Sequence, residues 1–340
     1  MNISIITDAW HPQVNGVVHT LNKTKDLLEK RRHKVQIISP NLFKTIPCPT
    51  YPEIRLALLP SRKIKKLLVD FQPDAVHIAT EGPLGLAARN LIVKKGFSYT
   101  TSFHTRFPEY IYARCKLPLS LSYGYLRWFH SKAQTILTPT KSVVDDLKQW
   151  NIKNTTIWPR GVDLEIFKPP SKKIKNKKPI LINVGRVAVE KNLEAYLDLN
   201  IDCEKWVVGD GPDKKKLQQK YPEVRFFGAV KHHELPDYYG RADLFVFPSK
   251  TDTFGLVLLE AMACGLPVAA YPVAGPINVI GNSNAGVLNE NLKKACEKAL
   301  LISKSKPLNY VKKFNWEKVA DIFESKLQKN KTNEKETLQT

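Results

Sequence analysis

The 340-residue chain has no run of the roughly 20 apolar residues that a bilayer-spanning helix needs, and its longest candidate, Phe254 to Cys264, is too short. The opening MNISIITDAW has no basic region and runs straight into a strand-like stretch, so no secretory signal peptide is expected. Cysteine is sparse: Cys48, Cys115, Cys203, Cys264 and Cys296 stand far apart with no C-x-x-C pair, which argues against a zinc site and fits a reducing compartment. No G-x-G-x-x-G follows any strand candidate, which counts against an NAD(P) oxidoreductase. Acidic residues are scarce too, with 32 Asp/Glu against 53 Lys/Arg and a formal net charge of +21. Through Glu165 there are 24 basic and 12 acidic residues. Such a surplus biases the protein toward an anionic partner, whether nucleic acid, anionic lipid or a phosphorylated substrate. No helix-turn-helix, zinc-finger or RNP pattern is present and the charge is spread rather than striped, so nucleic acid is not the expected partner.

What is present is an alternation of short β-branched runs with amphipathic helical segments, the pattern of βαβ units and parallel sheets. The first half offers strands at Ile3 to Ile6, Val35 to Ser39, Ala75 to Ala79, Tyr99 to Phe103 and Thr135 to Pro139. The second offers Ile180 to Val184, Trp206 to Val208, Val224 to Phe227, Leu244 to Phe247 and Val268 to Ala270. Between them FKPPSKKIKNKKP is polar, Pro-bearing and charged, as an exposed linker is. The expected organisation is an α/β domain over residues 1–165, a linker over 166–178 and a second α/β domain over 179–315. A helix over 316–330 could pack back on the first domain, and a disordered tail is expected over 331–340.

Ligands of open parallel sheets bind outside the carboxyl ends of the strands, so the loops that follow strands hold the candidates. Gly16, opening a helix after the first strand, either lets a phosphate approach backbone N–H groups at the positive helix end or is an ordinary turn. Arg186 and Lys191 follow the first strand of the second half. There they could flank a pyrophosphate and offset the charge that develops on a nucleoside diphosphate leaving group. Asp252 and Glu260 are eight apart with a helix starting at Phe254-Gly255, a spacing that puts one carboxylate at the helix entrance and the other two turns on. Either suits a pair of vicinal hydroxyls, on a hexose or a ribose. An ordinary structural role fits Glu260 poorly, because LVLLEAMA would bury an unpaired charge at a cost of several kcal/mol.

Across nearly its whole length the sequence resembles the family 4 glycosyltransferases, retaining enzymes of the GT-B fold, in which two Rossmann-like domains face an interdomain cleft. The stretches that carry the likeness, in the expected order, are TDAWHPQVNGVVHTL, YPEIRLALLP, DAVHIATEGPLG, SFHTRFPEY, NVGRVAVEKN, VVGDGP and TFGLVLLEAMACGLPV. They are most similar to bacterial GDP-mannose-dependent α-mannosyltransferases and their glucosyl and sulfoquinovosyl relatives. The resemblance implies donor phosphates against Gly16, clamped by Arg186 and Lys191, and the ribose on Glu260. The transferred sugar would sit on Asp252 and the adjoining Thr253, Phe254 and Gly255, with His104 near the reacting hexose. Asp252 departs from the family's Glu-x7-Glu motif, being one methylene shorter, and His19 stands where close relatives often carry Arg. The resemblance further implies retention by a front-face route, with Arg186 and Lys191 in place of a metal; the donor loops hold no D-x-D motif. No metal or other cofactor is expected, and the nucleotide sugar is a substrate. GDP-mannose is the first expectation for the donor and a UDP-hexose the second; a catalytically silent sugar-nucleotide-binding homologue is a further reading.

Asp8 and Glu81 are candidates for the acceptor side, Asp8 alternatively as a loop cap. SRKIKKLLVDF combines Arg62, Lys63, Lys65 and Lys66 with Ile64, Leu67, Leu68 and Phe71, as an interfacial helix does, and RWFHSK adds Trp128. Basic side chains near an anionic leaflet contribute about 1 kcal/mol each. The expected acceptor is therefore a lipid or lipid-linked glycan, with the chain peripheral on the cytoplasmic face of the cell membrane; lysines on a solvated surface are the alternative.

Overall fold

The computed structural model describes residues 1–13, 15–48, 51–170 and 176–330, leaving aside the side chains of 51–53 and 113–114. The expected tail over 331–340 and part of the expected linker lie outside the described residues. The chain forms two compact units, Met1–Pro159 joined by the stretch from Trp316 onward, and Arg160–Asn315.

The first unit holds β1 (Asn2–Ile6), β2 (Lys34–Ile38), β3 (Thr45–Cys48), β4 (Tyr51–Ala57), β5 (Ala75–Ile78), β6 (Tyr99–Ser102), β7 (Ile136–Thr138) and β8 (Thr155–Ile157). The second holds β9 (Ile180–Val184), β10 (Glu204–Val208), β11 (Arg225–Gly228), β12 (Leu244–Phe247), β13 (Val268–Ala270) and β14 (Gly286–Leu288). Two six-stranded parallel sheets result, ordered β2-β1-β5-β6-β7-β8 and β11-β10-β9-β12-β13-β14. Central strands are apolar runs because helices cover both faces of such sheets: every residue of β9 and β12 is buried. Strand order reverses between β1 and β5 in one sheet and between β9 and β12 in the other. Each reversal opens a crevice at the carboxyl ends of the two strands that flank it.

All ten expected strands form, with ends shifted by at most two residues. Four strands were not expected. β8 and β14 are three-residue edge strands, too short to show a period. The antiparallel pair β3 and β4 contains Pro47 and Pro52, which read as strand breakers but are tolerated in a two-stranded ribbon where one side of each strand needs no ladder partner.

The domain boundary differs from the expected one. The first unit ends at Pro159, not at 165, because Val162 and Phe167 are apolar and pack into the core of the second unit beside Ile180, Tyr239 and Phe245. The second residue of the expected linker, Phe167, is therefore a core residue, and the first, Ile166, packs against that core. The helix Trp316–Lys326 belongs to the first unit: Phe323 is fully buried and the Trp158 indole N–H donates to the Val319 carbonyl at 3.0 Å. Arg31 reaches Glu317, Asp321 and Glu324 on that helix at 2.8–2.9 Å.

His77 on β5 is fully buried, its ring nitrogens engaged by the Thr100 and Ser102 hydroxyls at 2.8 and 2.9 Å, with Phe323 and Trp158 against its faces. Burial pushes its pKa down to about 3. The folded imidazole thus stays neutral where an unfolded one, with its ordinary value of about 6.5, takes up a proton. A depressed value of this kind contributes stability that is fully present above the unfolded pKa and is lost as pH falls toward the folded one. By pH 5 the loss is roughly 2 kcal/mol. Melting temperature followed from pH 7 to pH 4 is expected to fall less steeply for His77→Asn, which keeps a donor and an acceptor without the titration; parallel curves would refute this.

Candidate functional site

In the second unit the loops that follow β9 and β12 carry Arg186, Lys191, Asp252, Thr253, Phe254 and Gly255, which sequence reading assigned to the donor together with Gly16 and Glu260. β9 ends at Val184, and Gly185 leaves it with φ of +153°, a conformation natural only to glycine. The need for glycine extends to its neighbours: a Cβ on Gly209 would lie 1.8 Å from the Gly185 carbonyl, and one on Gly211 would lie 2.3 Å from the Val187 carbonyl. Close backbone approach therefore shapes the loop that carries Arg186, which is half-buried. The loop continues to Glu190, Lys191 and Asn192, and it is laced to the loop after β12. Asn192 donates to the Pro248 carbonyl at 3.0 Å, while the Ser249 and Thr251 hydroxyls donate to the Glu190 carbonyl at 3.4 and 3.3 Å.

This lacing brings Lys191 and Asp252 together. Lys191 Nζ lies 2.6 Å from Asp252 Oδ1, and both side chains are largely shielded, 25% and 18% exposed. Asp252 Oδ2 is buried and has no hydrogen-bond partner among the described residues. After it, Thr253 leads into Phe254, whose buried ring anchors the loop in the core, edge-on to Phe314. Gly255 takes φ of +85° to start the helix Leu256–Ala263. A Cβ on Gly275 would come within 2.8 Å of the Asp252 carbonyl, so a third backbone segment closes on this loop.

Glu260 does not lie unpaired in its helix. It is 6% exposed, and both its oxygens have donors: His232 Nε2 stands 3.0 Å from Oε1, and the Tyr239 hydroxyl donates to Oε2 at 3.1 Å. Sequence reasoning missed His232, Tyr239 and Asn192. The sequence signalled only that a carboxylate in LVLLEAMA demands buried donors, not that KHHELPDYY, after the edge strand β11, supplies them.

In the first unit Gly16 opens the helix Gly16–Lys30 and is exposed, but the N–H groups of Val17 and Val18 are already taken by the Asn15 side chain at 3.0 Å each. Asp8 is a structural cap. Its carboxylate accepts from the Thr80 hydroxyl at 2.8 Å and from the Leu84 and Gly85 N–H groups at 2.9 and 3.4 Å, at the start of the helix Pro83–Lys94. Burial nonetheless raises its pKa. Glu81 has a different environment: its side chain is 8% exposed and its Oε1 lies 3.4 Å from Nε2 of the buried His130. His104 is buried with its ring edge-on to Trp158 at 5.9 Å.

The helix Ser61–Phe71 forms where expected, yet its apolar side is not available to a membrane. Ile64 and Leu68 are fully buried in the first unit's own core, while Arg62, Lys63 and Lys66 are exposed and Lys65 is half-buried. An amphipathic pattern reads the same whether its apolar stripe meets lipid or a sheet. Exposed large apolar side chains are scattered, with Leu58 and Leu59 just before this helix, but seven of them, Phe107, Ile111, Tyr112, Leu117, Leu121, Tyr125 and Trp128, group on the helices Phe107–Cys115 and Leu119–His130 and the turn between them. Leu121, Tyr125 and Trp128 recur at i, i+4 and i+7 and so share one helix face. Trp128 also takes the Arg89 guanidinium over its ring at 3.8 Å. No helix among the described residues is long and apolar enough to cross a membrane.

The family model for Glycosyltransferase Family 4 matches residues 14–166, and that for Glycosyl transferases group 1 matches residues 165–332. A GDP-mannose-dependent alpha-mannosyltransferase of Mycolicibacterium smegmatis is 30% identical over 321 residues, covering 85% of this chain and 84% of that one. An alpha-monoglucosyldiacylglycerol synthase of Streptococcus pneumoniae is 27% identical over 330 residues, covering 85% and 75%. Among solved structures, sucrose-phosphate synthase from Thermosynechococcus elongatus superposes with a TM-score of 0.78 at 21% identity, covering 95% and 97%. The chain therefore belongs to the family 4 glycosyltransferases, has the GT-B fold and is a hexosyltransferase.

Proposed function

We propose that the enzyme moves a hexose, in the first instance mannose, from a nucleoside-diphosphate sugar to a hydroxyl of a lipid or lipid-linked glycan, with retention of anomeric configuration and without a metal ion. The observation that carries this reading is the Lys191–Asp252 pair at the strand-order reversal of the second unit. A cation and a carboxylate stand side by side there, as a diphosphate joined to a sugar requires. In the transfer the bond from the anomeric carbon to the diphosphate oxygen breaks and a bond to the acceptor oxygen forms on the same face. The acceptor proton passes to the leaving phosphate. Arg186 and Lys191 offset the charge that accumulates on that phosphate, the term of largest expected weight in such a reaction. Asp252 accepts from hexose hydroxyls and Glu260 from the ribose, and the family resemblance assigns His104 to the reacting hexose.

The mannosyltransferase names among the relatives favour GDP-mannose, and the name of the S. pneumoniae synthase keeps glucosyl transfer as the second reading, for which we take a UDP-hexose as donor. Those names also favour a lipid or glycan acceptor, served in the first unit by Glu81 rather than by Asp8, whose carboxylate is engaged as a cap. The exposed apolar face of Leu121, Tyr125 and Trp128, flanked by exposed Arg127 and Lys132 and backed by the net charge of +21, supports attachment to an anionic leaflet at the inner face of the cell membrane.

The test is consumption of GDP-mannose and UDP-hexoses in the presence of a chelator, with vesicles containing bacterial lipid extract as acceptor. One donor is expected to be consumed, with labelled sugar in the lipid fraction, and Glu260→Ala is expected to lower its turnover by about 10²-fold. Consumption of no donor, or strict dependence on added metal, would overturn the reading. Failure of anionic vesicles to sediment the chain would remove the membrane part alone.

A further inference from the structure

Glu260 is a buried carboxylate with about four lone-pair positions. Two are engaged, one by His232 Nε2 at 3.0 Å and one by the Tyr239 hydroxyl at 3.1 Å, which leaves the others to accept from a pair of vicinal hydroxyls. The two donors differ in setting. Tyr239 is fully buried, ring-packed on Phe167 and Phe245, and its hydroxyl pKa is raised well above the ordinary value by burial and by the Glu260 charge, so it remains a donor. His232 stands on the short turn after β11 with its side chain 34% exposed, and Phe167 meets its ring edge-on at 5.0 Å. A carboxylate pinned at both oxygens has one orientation. With one pin missing it can rotate about its last side-chain bond, and recognition that needs both hydroxyls in register weakens. We infer that His232 is a positioning residue for the donor's ribose: by fixing the Glu260 carboxylate it sets the preference for a ribonucleoside over a deoxyribonucleoside diphosphate.

The inference rests on the proposal that Glu260 holds the ribose, and its test separates the two. Calorimetric titration of the full chain with GDP, UDP and their 2′-deoxy and 3′-deoxy forms is expected to show the wild type preferring the ribonucleotide by about 10- to 100-fold, the range of one or two hydrogen bonds to a charged group. In His232→Ala that ratio is expected to shrink to about threefold or less through weaker ribonucleotide binding, with deoxynucleotide binding little changed. His232→Gln, whose amide can donate to Oε1, is expected to restore most of the ratio. Tyr239→Phe, which removes only the other donor, is expected to shrink it as His232→Ala does. A damaged fold would weaken ribo and deoxy forms together, whereas loss of the positioning role changes their ratio. A wild type that discriminates beside a His232→Ala variant that discriminates equally well would overturn the role of His232 alone. A wild type that binds without discriminating would overturn the role of Glu260 in holding the ribose, and that of His232 with it. A wild type that binds no nucleoside diphosphate would overturn the donor reading as a whole.

Discussion

Lys191→Ala is expected to lower the rate of sugar transfer by about 10²- to 10³-fold, the scale on which loss of one preorganised charge stabiliser appears in turnover. Two effects of the substitution oppose each other. The Asp252 carboxylate, 18% exposed, loses its counter-ion at 2.6 Å and is left facing an incoming diphosphate, which weakens donor binding. Conversely, a carboxylate no longer drawn to a lysine is freer to meet hexose hydroxyls, which strengthens the sugar contact. The first effect, a like-charge interaction at short range in a shielded site worth about 4 kcal/mol at roughly 4 Å, outweighs a hydrogen bond to a charged acceptor, worth about 1.5–3 kcal/mol. The loss should therefore appear in both kcat and KM. Asp252→Asn is expected to separate them: nucleoside diphosphate binds more tightly because the negative charge is gone, while transfer slows because the sugar has lost a charged acceptor. Lys250→Ala is the control for general loss of positive charge. Lys250 is exposed over the Tyr271 ring at 4.8 Å and should leave turnover within about twofold. Equal losses from Lys191→Ala and Lys250→Ala would refute a specific role for Lys191.

The strands at the second unit's reversal point were legible because a parallel strand covered on both faces is a mainly apolar run, and LFVF and ILINV, in which Asn183 is the one polar residue, are such runs. Arg186, Lys191 and Asp252 were legible for a topological reason: they directly follow those strands, and the crevice lies where strands end. Partnership was far less legible. Nothing in the spacing of KHHELPDYY and LVLLEAMA says which His or Tyr meets Glu260, because that pairing depends on how β11 and β12 are ordered around β9. Asp8 was open between an acceptor contact and a cap, and only distant partners decide for the cap. It occupies the right place after β1, but its partners Thr80, Leu84 and Gly85 arrive from more than 70 residues away and use its carboxylate as a helix cap. The helix Ser61–Phe71 shows the limit of periodicity, which finds an apolar stripe and is silent about what covers it.

Phe323→Ala is expected to lower the stability of the first unit by about 3–5 kcal/mol, read as a shift of the urea midpoint at unchanged slope. Phe323 is fully buried on a helix that starts at Trp316, whereas the rest of its unit ends at Pro159, and its ring centroid lies 4.9 Å from that of His77 and 5.1 Å from that of Trp158. Truncation leaves a cavity bounded by two rings whose own hydrogen bonds, Trp158 to Val319 and His77 to Thr100 and Ser102, restrain them from collapsing into it. The more conspicuous contact of this helix is the ion network of Arg31 with Glu317, Asp321 and Glu324. Its carboxylates are 58%, 63% and 32% exposed, however, and solvent screening holds such pairs to about 1 kcal/mol or less. Arg31→Ala should therefore shift the same midpoint by no more than a third as much as Phe323→Ala, and the reverse order would mean that charge, not the buried ring, docks the helix. If His104 has its proposed role near the hexose, this helix also bears on transfer, because Trp158, which Phe323 supports, meets the His104 ring edge-on at 5.9 Å. Loosening of Trp158 in Phe323→Ala should thus lower transfer as well as stability, while nucleoside diphosphate binding by the second unit, with its separate core, stays within about twofold of the wild type.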